Sequence, residues 1–244
     1  VSSSCFADRL GEYVLLTEAE RKCLYQLEER ERALRRGAAL VRENDVAAEL
    51  FILKRGMMMS FVILADGSRQ ILRFIFPGDM VGLSALAYPR APRTVTAMAD
   101  SIVCLFDRPM LARLAVDQPR LFAAIVAVDQ AERVGLTDRL AGVGRTSAKA
   151  RVASILLDVR NRLRRTDPAP GDSFVPGLTQ EEIGDATGLT AVHVNRMLRQ
   201  LEEERLIARR TGRVTILDEA RLARAAHYVD RFAGIDLSWL PAAG

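Results

Sequence analysis

Apolar residues change their spacing twice along this chain, and the changes divide it into stretches of different secondary structure. Residues 17–30 place Cys23, Leu24 and Leu27 on one side, with Thr17 and Glu20 spaced as a capping pair, which predicts a short amphipathic helix. From about residue 32 the helical spacing gives way to short apolar runs punctuated by glycine: ELFILKRG, MMMSFVILADGSRQILRFIF, PGDMVG and TVTAMADSIVCLFDR. These predict strands, with hairpin or turn chemistry at Asp66-Gly67 and Pro77-Gly78-Asp79, in an all-β roll or barrel. After Pro109 the helical period returns, first over 110–116 and then from about Pro119 to Ala141. In the longer helix Leu121, Phe122, Ile125, Val126, Val128, Val134, Leu136 and Leu140 cover more of the circumference than one core face needs. One stripe is expected on the β-unit and the other against a second copy of the helix, although a helix buried inside one domain fits the same pattern. Gly142-Val143-Gly144 predicts the end of that helix and a hinge.

Residues 178–206, LTQEEIGDATGLTAVHVNRMLRQLEEERL, carry the most informative pattern. Thr179 and Glu182 form a capping box for one helix, which buries Ile183 and Ala186 and runs out at Gly188. Thr190 caps a second helix with Val194, Met197, Leu198 and Leu201 at helical spacing. Its other face offers His193, Asn195, Arg196 and Arg199. A solvated helical hairpin has the same outline. The sequence that follows, IARRTGRVTILD, predicts a basic β-hairpin around Thr211-Gly212, and the combination is a winged helix-turn-helix that docks in DNA.

Composition fits a globular chain with room for two domains: 244 residues, 49% hydrophobic and 27% charged, with a formal net charge of +4. The distribution matters more than the total. Residues 145–165 hold many Arg and Lys against a single Asp, and Arg recurs at 196, 199, 205, 209, 210 and 213, the expected footprint of a nucleic-acid partner. No apolar run is long enough for a membrane span, and the opening residues lack the apolar core of a signal peptide, so a cytoplasmic location is expected. Cys5, Cys23 and Cys104 are too widely spaced for a disulfide framework or a zinc motif. The pattern contains no Ser-His-Asp set, no paired catalytic carboxylates and no phosphate-cradling loop, and Gly142-Val143-Gly144 is only a fragment of GxGxxG. No enzyme, cofactor or metal is expected. RNA is disfavoured because no aromatic stacking platform is visible.

The order helix, β-roll, long helix, winged helix resembles the Crp-Fnr superfamily of bacterial transcription regulators over nearly the whole chain. The glycines of FILKRG (Gly56), ADG (Gly67), PGD (Gly78) and VG (Gly82) look like the family's turn glycines, and residues 178–207 match its helix-turn-helix more strongly. The resemblance implies an α+β protein: a jelly-roll-like, cyclic-nucleotide-binding-type domain (double-stranded β-helix) over 1–118, a dimerisation helix over 119–142 and a winged helix over 143–244. It implies a homodimer on palindromic double-stranded DNA, acting on RNA polymerase, with Arg196 on a guanine. Thr190, Arg199, Arg209 and Arg213 would then hold mainly phosphates, Thr179 and Asn195 would complete the DNA-binding set, and signals would pass through the long helix to the hinge at Gly142–Gly144.

Two departures change that picture. Well-known members carry a glutamate shortly before the arginine, whereas this chain has Thr190-Ala191-Val192-His193. Without a carboxylate to accept from cytosine, Val192 suits a thymine methyl, and His193 either donates to a base or phosphate or is simply solvated. In cyclic-nucleotide-binding members a glycine-glutamate pair holds the ribose and an arginine-serine pair the cyclic phosphate. Here the positions read Gly82-Leu83 and Arg93-Thr94. Arg93 and Thr94 keep an anion site, unless Arg93 pairs with an acid such as Asp100, but Leu83 cannot accept from a ribose hydroxyl. Thr137 is the nearest hydroxyl on the long helix where the family contacts a base. Cyclic-nucleotide control is therefore not expected, a small-molecule effector stays open, and a sensor that needs a nucleotide in order to bind DNA is the alternative. Cys5 and Cys23 are too few and too far apart for the family's iron–sulfur cluster, and the histidines, His193 and His227, both lie in the DNA-binding half, away from a haem site. The final segment, 228–244, carries apolar residues that suggest docking on a neighbouring surface.

Overall fold

The computed structural model describes residues 4–166 and 171–243. By their contacts they form two units: residues up to Val62, Phe74–Arg133 and those from Phe232 onward in the first, Ile63–Arg73 and Val134–Arg231 in the second.

Side-chain alternation builds the first unit. Its strands are β1 (Glu31–Leu34), β2 (Ala39–Val41), β3 (Glu49–Arg55), β4 (Met58–Ile63), β5 (Arg69–Ile75), β6 (Met80–Val81), β7 (Thr94–Ala97) and β8 (Ser101–Asp107), and β4 and β5 belong to it apart from residues 63–73. They form two four-stranded sheets, ordered β1-β8-β3-β6 and β2-β7-β4-β5. On β3, Phe51 and Leu53 point between the sheets, where they meet Leu40, Met58, Ile75, Val95 and Ala97. Leu50 and Ile52 point the other way and join Cys104 and Phe106 in a second cluster. That cluster is covered by α1 (Cys5–Gly11), α2 (Glu18–Leu27), α3 (Arg108–Asp117) and the start of α4 (Pro119–Arg145), through Leu10, Leu24, Leu111 and Leu121. The Thr17–Glu20 capping box on α2 is present. α1 carries no strong periodic signal; buried Glu28 accepts from Ser4 Oγ (2.6 Å) and from the Phe6 amide (2.9 Å) and so fixes its first turn. Gly78, at φ +84°, passes so close to α1 that a Cβ would stand 2.8 Å from Cβ of Arg9.

The helix end expected at Gly142 is absent. α4 continues to Arg145, and Thr146 bonds back to the Gly142 carbonyl with both its amide (3.0 Å) and its hydroxyl (2.7 Å). A glycine in a helix costs only about 1 kcal/mol relative to alanine, too little to stop a long helix. The break falls where Ser147 Oγ accepts from the Ala150 amide (3.1 Å) and opens α5 (Ala148–Thr166).

The second unit adds α6 (Gln180–Thr187), α7 (Ala191–Glu203) and α8 (Glu219–Ala226), with β9 (Ser173–Phe174), β10 (Ile207–Arg210) and β11 (Arg213–Ile216) in the order β10-β11-β9. The wing turn has positive φ at both Thr211 (+51°) and Gly212 (+76°), as a two-residue type I′ hairpin requires. α5 packs on α6, α7 and α8 with Val152, Leu156 and Val159 fully or almost fully buried. Much of the basic run over 145–165 is engaged inside the second unit. Arg160 is fully buried against Glu219, Arg164 pairs with Asp172 (2.6 Å), Arg165 with Asp230 (3.5 Å) and Lys149 with Glu204. Acids distant in sequence pair with these four residues within the unit.

Candidate nucleic-acid interface

α6 and α7 are held as one rigid pair before any ligand arrives. Thr179 Oγ1 accepts from the Glu182 amide (3.1 Å) while Glu182 accepts from the Thr179 amide (2.7 Å), completing the expected box. Gly188 takes the left-handed conformation at φ +69° and ends α6. Thr190 caps α7 by accepting from the His193 amide (3.3 Å). Val194, Met197, Leu198 and Leu201 are buried, as their spacing predicts.

Two contacts at the turn lie outside the sequence reading. Gly184 passes so close to the Leu189 carbonyl that a Cβ would sit 2.4 Å from its oxygen, so only glycine lets the chain double back there. A mid-helix glycine was the available signal. Arg151 on α5 donates from Nη1 to the Thr187 carbonyl (2.7 Å), satisfying a carbonyl at the end of α6 that the helix leaves open. The tip of the β4–β5 hairpin belongs to the same unit: Arg69 Nε donates to Asp185 Oδ2 (2.7 Å), and Gln70 Nε2 to the Asp185 carbonyl (2.7 Å). Neither partner is adjacent in sequence, and no local pattern announces them.

The outward face of α7 is open. Val192 is 82% exposed, and Arg196, Arg199 and Gln200 continue the same stripe one and two turns on, flanked by half-buried His193 and Asn195. Among the described residues Arg196 and Arg199 have no hydrogen-bond or ion-pair partner within the chain. The wing differs. Arg209 is engaged by Glu202, Nη2 to Oε2 at 2.7 Å, and this guanidinium holds the Glu202 carboxyl below the usual glutamate range. Arg213 donates from Nη2 to the Ser173 carbonyl (2.8 Å), tying β11 to β9. Arg210 is exposed at the tip and, among the described residues, has no such partner.

In the roll, Gly82 (φ +86°) precedes a single 3-10 turn, Leu83–Leu86, and the Leu83 side chain packs into the cluster beneath α1–α4, away from the space between the sheets. On the other sheet Thr94 Oγ1 accepts from the Glu43 amide (3.1 Å), and Arg93 is half-buried. Asp100 is taken by the Arg35 guanidinium (3.3 Å) and the Arg36 amide (2.9 Å). Thr137 is exposed and belongs by contacts to the second unit. Among the described residues no helix is long and apolar enough to cross a membrane, and no group of three His, Cys, Asp or Glu side chains is arranged to hold a metal ion.

This geometry agrees with what the chain is similar to. Residues 31–118 match the cyclic nucleotide-binding domain model, and 150–225 match the Crp-like helix-turn-helix domain model. The nitrogen fixation regulation protein FixK of Bradyrhizobium diazoefficiens is 30% identical over 190 residues, covering 78% of this chain and 79% of that protein. The transcriptional activatory protein AadR of Rhodopseudomonas palustris is 32% identical over 188 residues, 75% of each. The structure of FixK2 from Bradyrhizobium japonicum superposes with a TM-score of 0.72 at 26% identity, covering 82% of this chain and 98% of that one. The chain belongs to the Crp-Fnr family of transcription regulators, DNA-binding proteins with a cyclic-nucleotide-binding-type roll and a winged helix-turn-helix.

Proposed function

We propose that the protein acts in the cytoplasm as a homodimer on a twofold-symmetric operator, with one α7 in the major groove of each half-site. The observation that carries this reading is the stripe Val192, Arg196 and Arg199, exposed on a helix whose opposite side is locked into the core. Arg196 presents a planar fork of donors to guanine O6 and N7, Asn195 matches adenine N6 and N7, and the Val192 methyls suit a thymine methyl. His193, Arg199, Thr179, Thr190 and Arg210 hold phosphates. Arg209 and Arg213 contribute less there than the sequence suggests, because their guanidiniums already bind Glu202 and Ser173. Along α4, Val126, Val134 and Leu140 fall on one exposed side and supply an apolar seam for a second copy.

Regulation by cyclic nucleotide is disfavoured. Leu83 is committed to the core, so the ribose position offers no acceptor. Gly82, Arg93 and Thr94, all in the first unit, remain the candidates for a different small effector. RNA polymerase is the partner through which a bound regulator changes transcription.

Selection of bound sequences from a random duplex pool, with no added ligand, tests the reading. A palindromic motif with half-sites about 34 Å apart, bound by a species of twice the chain mass in sedimentation, is the expected result. Enrichment of a single asymmetric half-site by a monomer overturns the dimeric reading. Enrichment only when a cyclic nucleotide is added overturns the effector assignment.

A further inference from the structure

The first turn of α7 carries no acidic side chain, and its most exposed residue is aliphatic. Val192 stands 82% exposed on the face that also carries exposed Arg196, one helical turn further on. A single exposed valine is ordinary on a protein surface; its setting here is not. The Thr190 hydroxyl beside it is engaged in capping the helix, where it accepts from the His193 amide (3.3 Å). On the opposite side Val194, Met197, Leu198 and Leu201 are buried, so the core fixes where Val192 stands. A β-branched side chain in a helix keeps essentially one χ1 rotamer. Val192 therefore presents its methyl groups in a set place, with little conformational entropy left to lose on contact.

Positions i and i+4 of a helix have Cβ atoms about 5–6 Å apart, and successive bases along one strand are about 3.4 Å apart. A valine and an arginine so spaced meet neighbouring bases. When the longer Arg196 donates to guanine O6 and N7, its guanidinium lies in the plane of that base. One flat face of the fork then turns toward the base on the 5′ side, whose C5 edge overhangs it in the major groove. Val192 reaches the same C5 edge. A methyl there fills the space between fork and valine, whereas a hydrogen leaves both without contact. The valine has no hydrogen-bonding atom, so it does not distinguish O4 of thymine from the N4 amino group of 5-methylcytosine. Without a carboxylate in this turn, an unmethylated cytosine gains nothing through its amino group.

We infer that Val192 and Arg196 together read a 5-methylpyrimidine immediately 5′ of a guanine in each half-site, and that the methyl, carried by thymine or by 5-methylcytosine, is the determinant. This rests on the reading that α7 enters the major groove with Arg196 on a guanine. It extends that reading from single bases to a step, and from ordinary bases to a modified one.

The test uses the full chain and the operator duplex obtained by selection. The guanine in question is the one whose replacement Arg196→Ala tolerates. Four duplexes differ only at the pyrimidine 5′ of it in one half-site: thymine, uracil, 5-methylcytosine or cytosine, each with its complement opposite. Fluorescence anisotropy reads the affinity of wild type, of Val192→Ser, which removes the methyl groups, and of Val192→Ile, which keeps an aliphatic branch. Burial of one methyl corresponds to about fourfold in affinity. Wild type and Val192→Ile are expected to prefer thymine over uracil, and 5-methylcytosine over cytosine, by about that factor. In Val192→Ser both preferences should largely disappear. Each preference is a ratio within one protein, so a general loss of affinity in a variant does not imitate the result. Equal binding of methylated and unmethylated duplexes by wild type overturns the inference, as does a purine 5′ of the guanine in the selected motif. A methyl preference that survives in Val192→Ser also overturns it, and assigns the effect to the duplex or to another side chain. All three leave Arg196 on its guanine. If Arg196→Ala instead weakens selected and random duplexes equally, base reading by α7 falls, and the methyl reading with it.

Discussion

Arg160, fully buried on α5, meets Glu219 at the start of α8 through both ends of its guanidinium. Nη1 donates to Oε2 at 2.8 Å, and Nη2 lies 2.6 Å from Oε1 at an angle outside hydrogen-bond geometry. The pair joins the first and last helices of the DNA-binding unit across its core. Glu219→Gln leaves a buried cation with, among the described residues, only Asp172, 3.5 Å away, to balance it. The cost expected is about 1–2 kcal/mol, below that of a wholly buried pair because Glu219 itself is half exposed. The hydrogen bond and charge of Arg160 hold the Glu219 carboxyl below the ordinary glutamate value of 4.5. A depressed carboxylate stabilises the fold above its unfolded pKa, and that contribution is lost as pH falls through the folded value. The melting temperature of wild type should therefore drop below pH 4.5 more steeply than that of Glu219→Gln; parallel curves would show that the pair contributes no linkage.

Gly184→Ala puts a methyl 2.4 Å from a backbone oxygen that cannot rotate away. The Leu189 carbonyl must move, and with it Thr190 and the start of α7. Overpacking of this kind costs about 1–3 kcal/mol. The effect on operator binding should exceed what the melting temperature implies, because α7 is displaced as well as loosened. Gly144→Ala on α4, where a Cβ meets nothing within 4 Å, should be neutral or slightly stabilising. Operator titration and thermal melting of both variants check this, and equal behaviour would contradict the close approach.

The helix-turn-helix was legible because its determinants are local. Thr179, Glu182, Gly188 and Thr190 lie within a few residues of what they cap or turn, and the apolar stripe of α7 has one period. The wing was legible for the same reason at Thr211-Gly212. What failed involved partners far along the chain. Arg160 and Arg165 on α5 count as surface charge in the composition until Glu219 and Asp230 are folded against them, and composition carries no information about that pairing. Gly142 looks like a helix end until Thr146 is seen to bond back to it. The destination of Leu83 depends on which way β6 and its turn face, which a lone Gly-Leu does not specify. Phe232, Ile235, Leu237 and Trp239 suggest that the last segment docks, yet Trp239 stays exposed and Leu237 with Leu240 is buried; the alanine surface of α4 that receives them has no hydrophobic signature of its own.

Direct readout and phosphate anchoring separate on titration. Arg196→Ala should cost about 1–3 kcal/mol on the selected operator and relax one base position, with little change on random DNA. Arg210→Ala should weaken both duplexes alike and reduce the slope of log affinity against log salt by about one unit. Arg209→Ala should change the salt slope less than Arg210→Ala, since Arg209 is already paired with Glu202. Equal losses from Arg196→Ala on specific and random duplexes would place that residue on a phosphate instead.

Two cysteines should be chemically quiet in the folded protein. Cys104 faces the helix-covered side of its sheet, and burial pushes its thiol up to about 12. Cys5 has its Sγ 3.5 Å from Glu28 Oε2 and 3.6 Å from the Leu53 carbonyl, and burial together with the Glu28 charge pushes its thiol higher still. The thiolate is the form that reacts with electrophiles and binds metal. At a mildly alkaline pH the fraction ionised at either site is very small, so iodoacetamide should label both far more slowly than a free cysteine, with release on unfolding. Glu28→Gln removes the charge but keeps the size, and should speed labelling of Cys5 while leaving Cys104 little changed, its dominant cause being burial. Peptide mass spectrometry of native and unfolded protein reads each site separately. Labelling of native Cys5 at the rate of the unfolded chain would mean that α1 is not held on Glu28 and that the Cys5 thiol is accessible.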